Sequence, residues 1–122
     1  MHGIHHLALR VSDCVGAARF YERAFGLREM RRIEDGGQIR AIWLSTGDTV
    51  LMLERSLRGR GLSEGSGHAL IFPTDDLIAA EKRLRDLDIA VTDRTPFTLY
   101  VEDPDGHRAG FSAYRFNETT AW

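Results

Sequence analysis

An internal repeat constrains this chain more than any other feature. His6-Leu-Ala-Leu-Arg-Val-Ser-Asp13 and His68-Ala-Leu-Ile-Phe-Pro-Thr-Asp75 share one pattern, histidine first and aspartate last, 62 residues apart. At the same offset Ala17-Ala18 falls on Ala79-Ala80, and Leu27 on Ile89. Self-similarity on this scale points to two copies of one supersecondary unit, each too small to stand alone. In a chain of 122 residues, two such copies make a single domain spanning 1–122.

Each copy reads as βαβββ. Strand formers fill residues 4–11, and Ser12-Asp13 supplies capping side chains for a helix that Gly26 closes. Strands near 28–34, 38–45 and 49–55, separated by Gly36-Gly37 and Gly47-Asp48, complete module one, about 4–55. Residues 56–67 hold four glycines and read as a linker. Module two, about 68–114, repeats the order: a strand over 68–73, a helix over 76–87 capped by Thr74-Asp75, then strands near 89–93, 97–102 and 107–114. Asp103-Pro-Asp-Gly106 is its turn signal.

Alternation sorts the strand faces. In the first strand Leu7, Leu9 and Val11 share the helix side with His5, and His6, Ala8 and Arg10 point the other way. In the last strand Ala109, Phe111 and Ala113 form the apolar face, leaving Arg108, Gly110, Ser112 and Tyr114 on the inner one. The expected fold is α+β, with two curved mixed sheets pairing into a cup-like cavity.

Composition narrows the function classes. A net charge of −2 argues against nucleic acid, and only Lys82 among 16 basic residues is lysine, so the cations favour planar contacts to anions. Cys14 stands alone, which excludes an intrachain disulfide. No run approaches the ~20 apolar residues that span a bilayer, and no signal-peptide pattern opens the chain. A cytoplasmic location is therefore expected.

At this point the chain resembles the vicinal oxygen chelate superfamily, which includes glyoxalase I, extradiol dioxygenases, fosfomycin-resistance transferases and bleomycin-resistance proteins. The resemblance rests on His6–Asp13, Ala18-Arg-Phe-Tyr-Glu-Arg-Ala-Phe-Gly-Leu27, Gly67-His68 and Leu99-Tyr-Val-Glu-Asp-Pro-Asp-Gly-His107. It implies a divalent ion held by the first and last strands of both modules. His6 and His68 match the two first-strand positions. The last-strand positions, where a glutamate is usual in module two, fall on Gly110 and Met52. Neither is a ligand for a hard cation, and two imidazoles alone hold zinc, iron, manganese or nickel weakly. Glu54, two residues past Met52, is the candidate replacement; its alternative is the polar end of a strand.

The remaining candidates concern an organic ligand. Arg10 on the inner face suits an anionic group, or pairs with Glu54 or Asp103. Tyr100 falls where fosfomycin-resistance relatives carry a substrate-contacting tyrosine. Met52, Phe72, Gly110, Ser112 and Tyr114 complete the expected ligand-binding set, and Trp43 is a further aromatic that suits an apolar wall. His2 and His5 are set aside as metal ligands because His5 should face away from His6. The favoured reading is a bleomycin-resistance-like protein that binds a small organic molecule without a cofactor. The alternative is a divalent-metal lyase, dioxygenase, epimerase or resistance transferase using His6, His68 and Glu54. A homodimer is expected from the resemblance, with module one of one chain facing module two of the other.

Overall fold

The structure, a computed structural model, describes residues 3–59 and 67–116. Most of the expected linker and the tail, 60–66 and 117–122, lie outside the described residues. The order is β1 (His6–Arg10), α1 (Cys14–Phe25), β2 (Arg28–Asp35), β3 (Gln38–Ser45), β4 (Val50–Glu54), β5 (Ala69–Pro73), α2 (Leu77–Asp86), β6 (Asp93–Arg94), β7 (Thr98–Glu102) and β8 (Arg108–Ser112). Two compact units result: Met1–His68 with Asp103–His107, and Ala69–Glu102 with Arg108–Trp122. The β7–β8 turn of the second copy thus belongs by its contacts to the first unit.

In the first unit the strands run β1-β4-β3-β2, with β1 parallel to β4 and the other neighbours antiparallel. Gly36 and Gly37, at φ 61 and 80, sit between the paired Asp35 and Gln38. Two central residues at positive φ match the right-handed twist of the flanking strands, a conformation glycine adopts at least cost. Asp13 caps α1 by accepting the Gly16 N–H, and Gly26 at φ 73 ends it. The buried face of α1, including Ala17, Tyr21 and Ala24, packs on Ile42, Leu44, Leu51 and Leu53, all essentially inaccessible. The intervening Trp43, Met52 and Glu54 therefore lie on the face turned away from α1.

In the second unit the order is β5-β8-β7-β6, again with the first and last strands of the module parallel. Asp76, not Thr74 or Asp75, caps α2, accepting from Ala79 N. The strand expected near 89–93 shrinks to the two residues of β6, because Asp88 at φ 59 turns the chain after α2 and delays its arrival at β7. Leu99, Val101, Ala109 and Phe111 are buried on the side of Ala80 and Leu84 of α2. Thr98, Tyr100, Gly110 and Ser112 alternate with them onto the other face.

The two sheets are not register copies. Ala8 pairs with Met52, but Leu70, its equivalent in the repeat, pairs with Ala109, and Gly110 pairs with Ile71. A slip of one residue moves a side chain to the opposite face. No helix among the described residues is long and apolar enough to cross a membrane.

Candidate functional site

The residues expected to hold a metal are placed as follows. His6 is exposed on β1 opposite Val50, whereas Glu54 lies opposite Arg10, four register positions along, or roughly 13 Å at the usual strand rise. The register does not bring Glu54 to His6. His5 precedes β1, so strand alternation does not govern it, and its Nδ1 lies 2.9 Å from Nδ1 of His6. The two rings meet edge to face, contrary to the expected opposite orientations.

His68 is also exposed, and its Nε2 lies 3.3 Å from Nδ1 of His107. His107 is buried and its Nε2 is 2.8 Å from the Arg10 carbonyl oxygen. A carbonyl only accepts, so that nitrogen carries the hydrogen. Nδ1 of His107 and Nε2 of His68 then share the one hydrogen that lies between them. Met52 supplies a thioether and Gly110 supplies nothing. A Cβ built on Gly110 would run into the Leu99 carbonyl oxygen and come within 3.3 Å of Ile71 Cδ1. No group of three His, Cys, Asp or Glu side chains suited to a metal ion exists among the described residues. This donor set does not fit the metal centre that the resemblance implies.

Arg10 is engaged by the backbone that follows β4. Its Nε and Nη2 donate to the Leu57 carbonyl at 3.1 and 2.9 Å, and Nη2 also donates to the Gly59 carbonyl at 2.6 Å. The guanidinium therefore holds the chain that leaves β4. Cys14 is a core residue, its thiol near the carbonyls of Arg40 and Leu53, and burial pushes it above its ordinary value. That is the opposite of an activated thiol.

Four of the expected ligand-binding residues do converge. On the second sheet a cavity of about 560 Å³ is lined by Ile71, Phe72, Pro73, Thr98, Tyr100, Ser112, Tyr114 and Phe116. Its size is that of a small-molecule site. Thr98 Oγ1 donates to Ser112 Oγ at 2.9 Å, and the Tyr114 N–H donates to the same oxygen at 3.2 Å. Both lone pairs of Ser112 are then engaged, which leaves its hydrogen to donate. The Arg108 guanidinium lies 4.6 Å from the Tyr100 ring centroid, and Tyr114 meets Phe97 and Phe116 edge to face. Arg10 and Met52 belong to the first unit and line no part of this cavity.

Sequence reasoning missed Asp103 and His107 as buried polar groups. Asp103 is 5% exposed; its Oδ2 accepts from the Tyr21 hydroxyl at 2.7 Å, and its Oδ1 accepts from the N–H groups of Asp105 and His107, each at 2.9 Å. Asp105 in turn accepts from Ser12 N. The available signal was Asp103 as the opening acid of a proline turn, a position that favours side-chain to backbone bonds. Burial first, and then the Asp103 carboxylate, push the Tyr21 phenol well above its ordinary value of 10.0. Above about pH 10 the unfolded chain loses that proton while the folded chain keeps it, so stability falls as pH rises. The urea midpoint of the wild type is expected to drop steadily above about pH 10. Tyr21→Phe should flatten that drop; an equally steep fall in the variant would contradict the assignment.

The model of the Glyoxalase/Bleomycin resistance protein/Dioxygenase superfamily matches residues 3–111. No curated protein sequence matches the chain. Among solved structures, the chain is similar to the fosfomycin resistance protein FosX from Mesorhizobium loti, at TM-score 0.77 and 22% identity, with 95% of this chain and 94% of that one covered. It is also similar to TioX from Micromonospora sp. ML1, at TM-score 0.69 and 25% identity over 90% and 98%. The antibiotic binding protein TnmS3 from Streptomyces sp. CB03234 has TM-score 0.72 and 23% identity over 92% and 95%. With nearly its whole length matched, the chain belongs to the Glyoxalase/Bleomycin resistance protein/Dioxygenase superfamily.

Proposed function

We propose that this protein binds a small, flat, largely apolar organic molecule in the cavity on the second sheet, without a complete metal site. The observation that carries the reading is the cavity itself, whose lining includes the aromatic residues Phe72, Tyr100, Tyr114 and Phe116 together with Ser112. Apolar walls with a few fixed polar groups are the usual make-up of an organic-ligand site. Two of the similar structures are by name a fosfomycin resistance protein and an antibiotic binding protein, which is consistent with a ligand of this class. The metal-enzyme alternative requires a carboxylate beside His6 or His68. The register of Glu54 and the crowding at Gly110 weigh against it.

The test is fluorescence titration with 8-anilinonaphthalene-1-sulfonate, a flat apolar anion. Saturable binding is expected, weakened about tenfold by Ser112→Phe, which fills the cavity. Ile78→Ser on the outer face of α2, where Ile78 is 84% exposed, should leave it unchanged. Dye binding indifferent to Ser112→Phe would remove the cavity from the account. Metal analysis of the same preparations addresses the alternative: stoichiometric zinc, iron, manganese or nickel that His6→Ala loses would replace this reading. We further propose a homodimer and a cytoplasmic location, the first open to light scattering and the second to cell fractionation.

A further inference from the structure

At the Gly36-Gly37 end of the first sheet two arginines stand together. Strands β3 and β4 pair Ala41 with Glu54, and one residue further the Arg55 N–H donates to the Arg40 carbonyl at 3.1 Å. Arg40 and Arg55 are therefore directly opposed on one face, where Cβ atoms lie about 5 Å apart. Gln38, two residues before Arg40, shares that face, and Asp35 is its partner on β2. Like charges opposed across a strand pair are destabilising. No ion pair relieves them: among the described residues, none includes Arg40, Arg55 or Asp35. These four residues and Ser56 are exposed, and the five line a cavity of about 170 Å³.

We propose that this cavity is a binding site for inorganic phosphate. Organic ligands usually occupy about 300–1,000 Å³, so a cavity of this size suits a compact ion. The lining carries one positive charge in excess, and guanidinium groups make strong, charge-assisted bonds to oxyanions. Gln38 Oε1 accepts from Arg55 Nη1 at 3.0 Å, which leaves the Gln38 amide N–H groups to donate. Ser56 adds a hydroxyl. Asp35 then selects among anions. An ionised carboxylate only accepts, so it favours an anion that keeps a hydrogen of its own. Inorganic phosphate keeps one in the neutral range, and sulfate keeps none. The site shares no residue with the cavity of the second sheet, and the inference does not rest on that reading.

The test is calorimetric titration of the whole protein at about pH 8 and fixed ionic strength with three dianions. They are inorganic phosphate, sulfate and glycerol phosphate, an ester whose second pKa of about 6 leaves it no hydrogen. Saturable phosphate binding is expected with a Kd of about 1 mM. Sulfate and the ester should bind about tenfold more weakly, because each leaves Asp35 facing a bare anion. Arg40→Gln and Arg55→Gln should each weaken phosphate binding about tenfold, the worth of a charge-assisted hydrogen bond. Arg19→Gln makes the same change of charge at an exposed position of α1 and should alter binding by less than about twofold. Asp35→Asn should bring sulfate to within about threefold of phosphate. No saturable binding up to about 20 mM phosphate overturns the inference, and that measurement needs no variant to fold. Sulfate or the ester binding as tightly as phosphate to the wild type overturns it as well. So does a loss in Arg19→Gln equal to that in Arg40→Gln, which would mark diffuse surface charge instead of a site.

Discussion

Asp103→Ala is expected to lower the stability of the protein by about 3 kcal/mol, measured as the shift in a urea unfolding curve. The carboxylate is buried and accepts three hydrogen bonds, from the Tyr21 hydroxyl and from the N–H groups of Asp105 and His107. Bonds to an ionised acceptor contribute about 1.5–3 kcal/mol each, and truncation also leaves their donors buried without partners. Water entering the gap offsets part of the loss, which is why the expected total lies well below three full bonds. Asp103→Asn keeps the shape and one acceptor and should cost less. A double-mutant cycle with Tyr21→Phe isolates the helix-to-turn bond, for which a coupling of about 1–2 kcal/mol is expected. If Asp103→Ala unfolds within experimental error of the wild type, the Asp103 turn is not the buried tie to α1 that the distances indicate.

The second large effect belongs to Gly110. Gly110→Ala should destabilise by about 4 kcal/mol or more, or prevent folding. The obstacle is backbone: the added carbon would overlap the Leu99 carbonyl oxygen and lie 3.1 Å from its carbon, and no rotamer change relieves that. Strand β7 would have to move off β8 and break the pairs around Tyr100–Gly110. Gly3→Ala is the control, because nothing lies within 4 Å of the carbon it adds, and its effect should stay within about 0.5 kcal/mol. Thermal unfolding of both variants decides the matter; a Gly110→Ala protein as stable as wild type would show that the strands yield. The same crowding bears on chemistry. A glutamate returned to position 110 alone would meet the same carbonyl before it could reach any ion.

Much of the architecture was legible in the residues. Alternation in Leu7-Ala-Leu-Arg-Val11, the Asp13 cap, the Gly26 stop and the Gly36-Gly37 turn are local signals, and each element they predict is present within a residue or two. The failures were also local in cause. His5 was assigned a face by strand alternation although β1 starts one residue later. The two-residue β6 followed from the left-handed turn at Asp88, a conformation that aspartate adopts more readily than most residues and that the reading of a strand near 89–93 did not use.

The candidate site was legible only in part, because a site depends on which strands become neighbours. Tyr100, Ser112 and Tyr114 were nominated from face and family position and Phe72 as an aromatic suited to an apolar wall, and they line one cavity. Arg10 was nominated on the same grounds, yet its guanidinium holds the Leu57 and Gly59 carbonyls. Face alternation gives the direction of a side chain and not what waits at the end of it.

By itself, then, the sequence determined the repeat and the two βαβββ modules, since these rest on periodicity and short-range turn chemistry, while the family followed from the resemblance of its motifs and the matched family model. The tertiary structure decided register and burial. It set Glu54 opposite Arg10, slid Gly110 to face Ile71 instead of Leu70, and drew the Asp103–His107 turn into the first unit. Those outcomes come from long-range pairing, where a slip of one residue exchanges the two faces of a sheet, and no local preference encodes that choice.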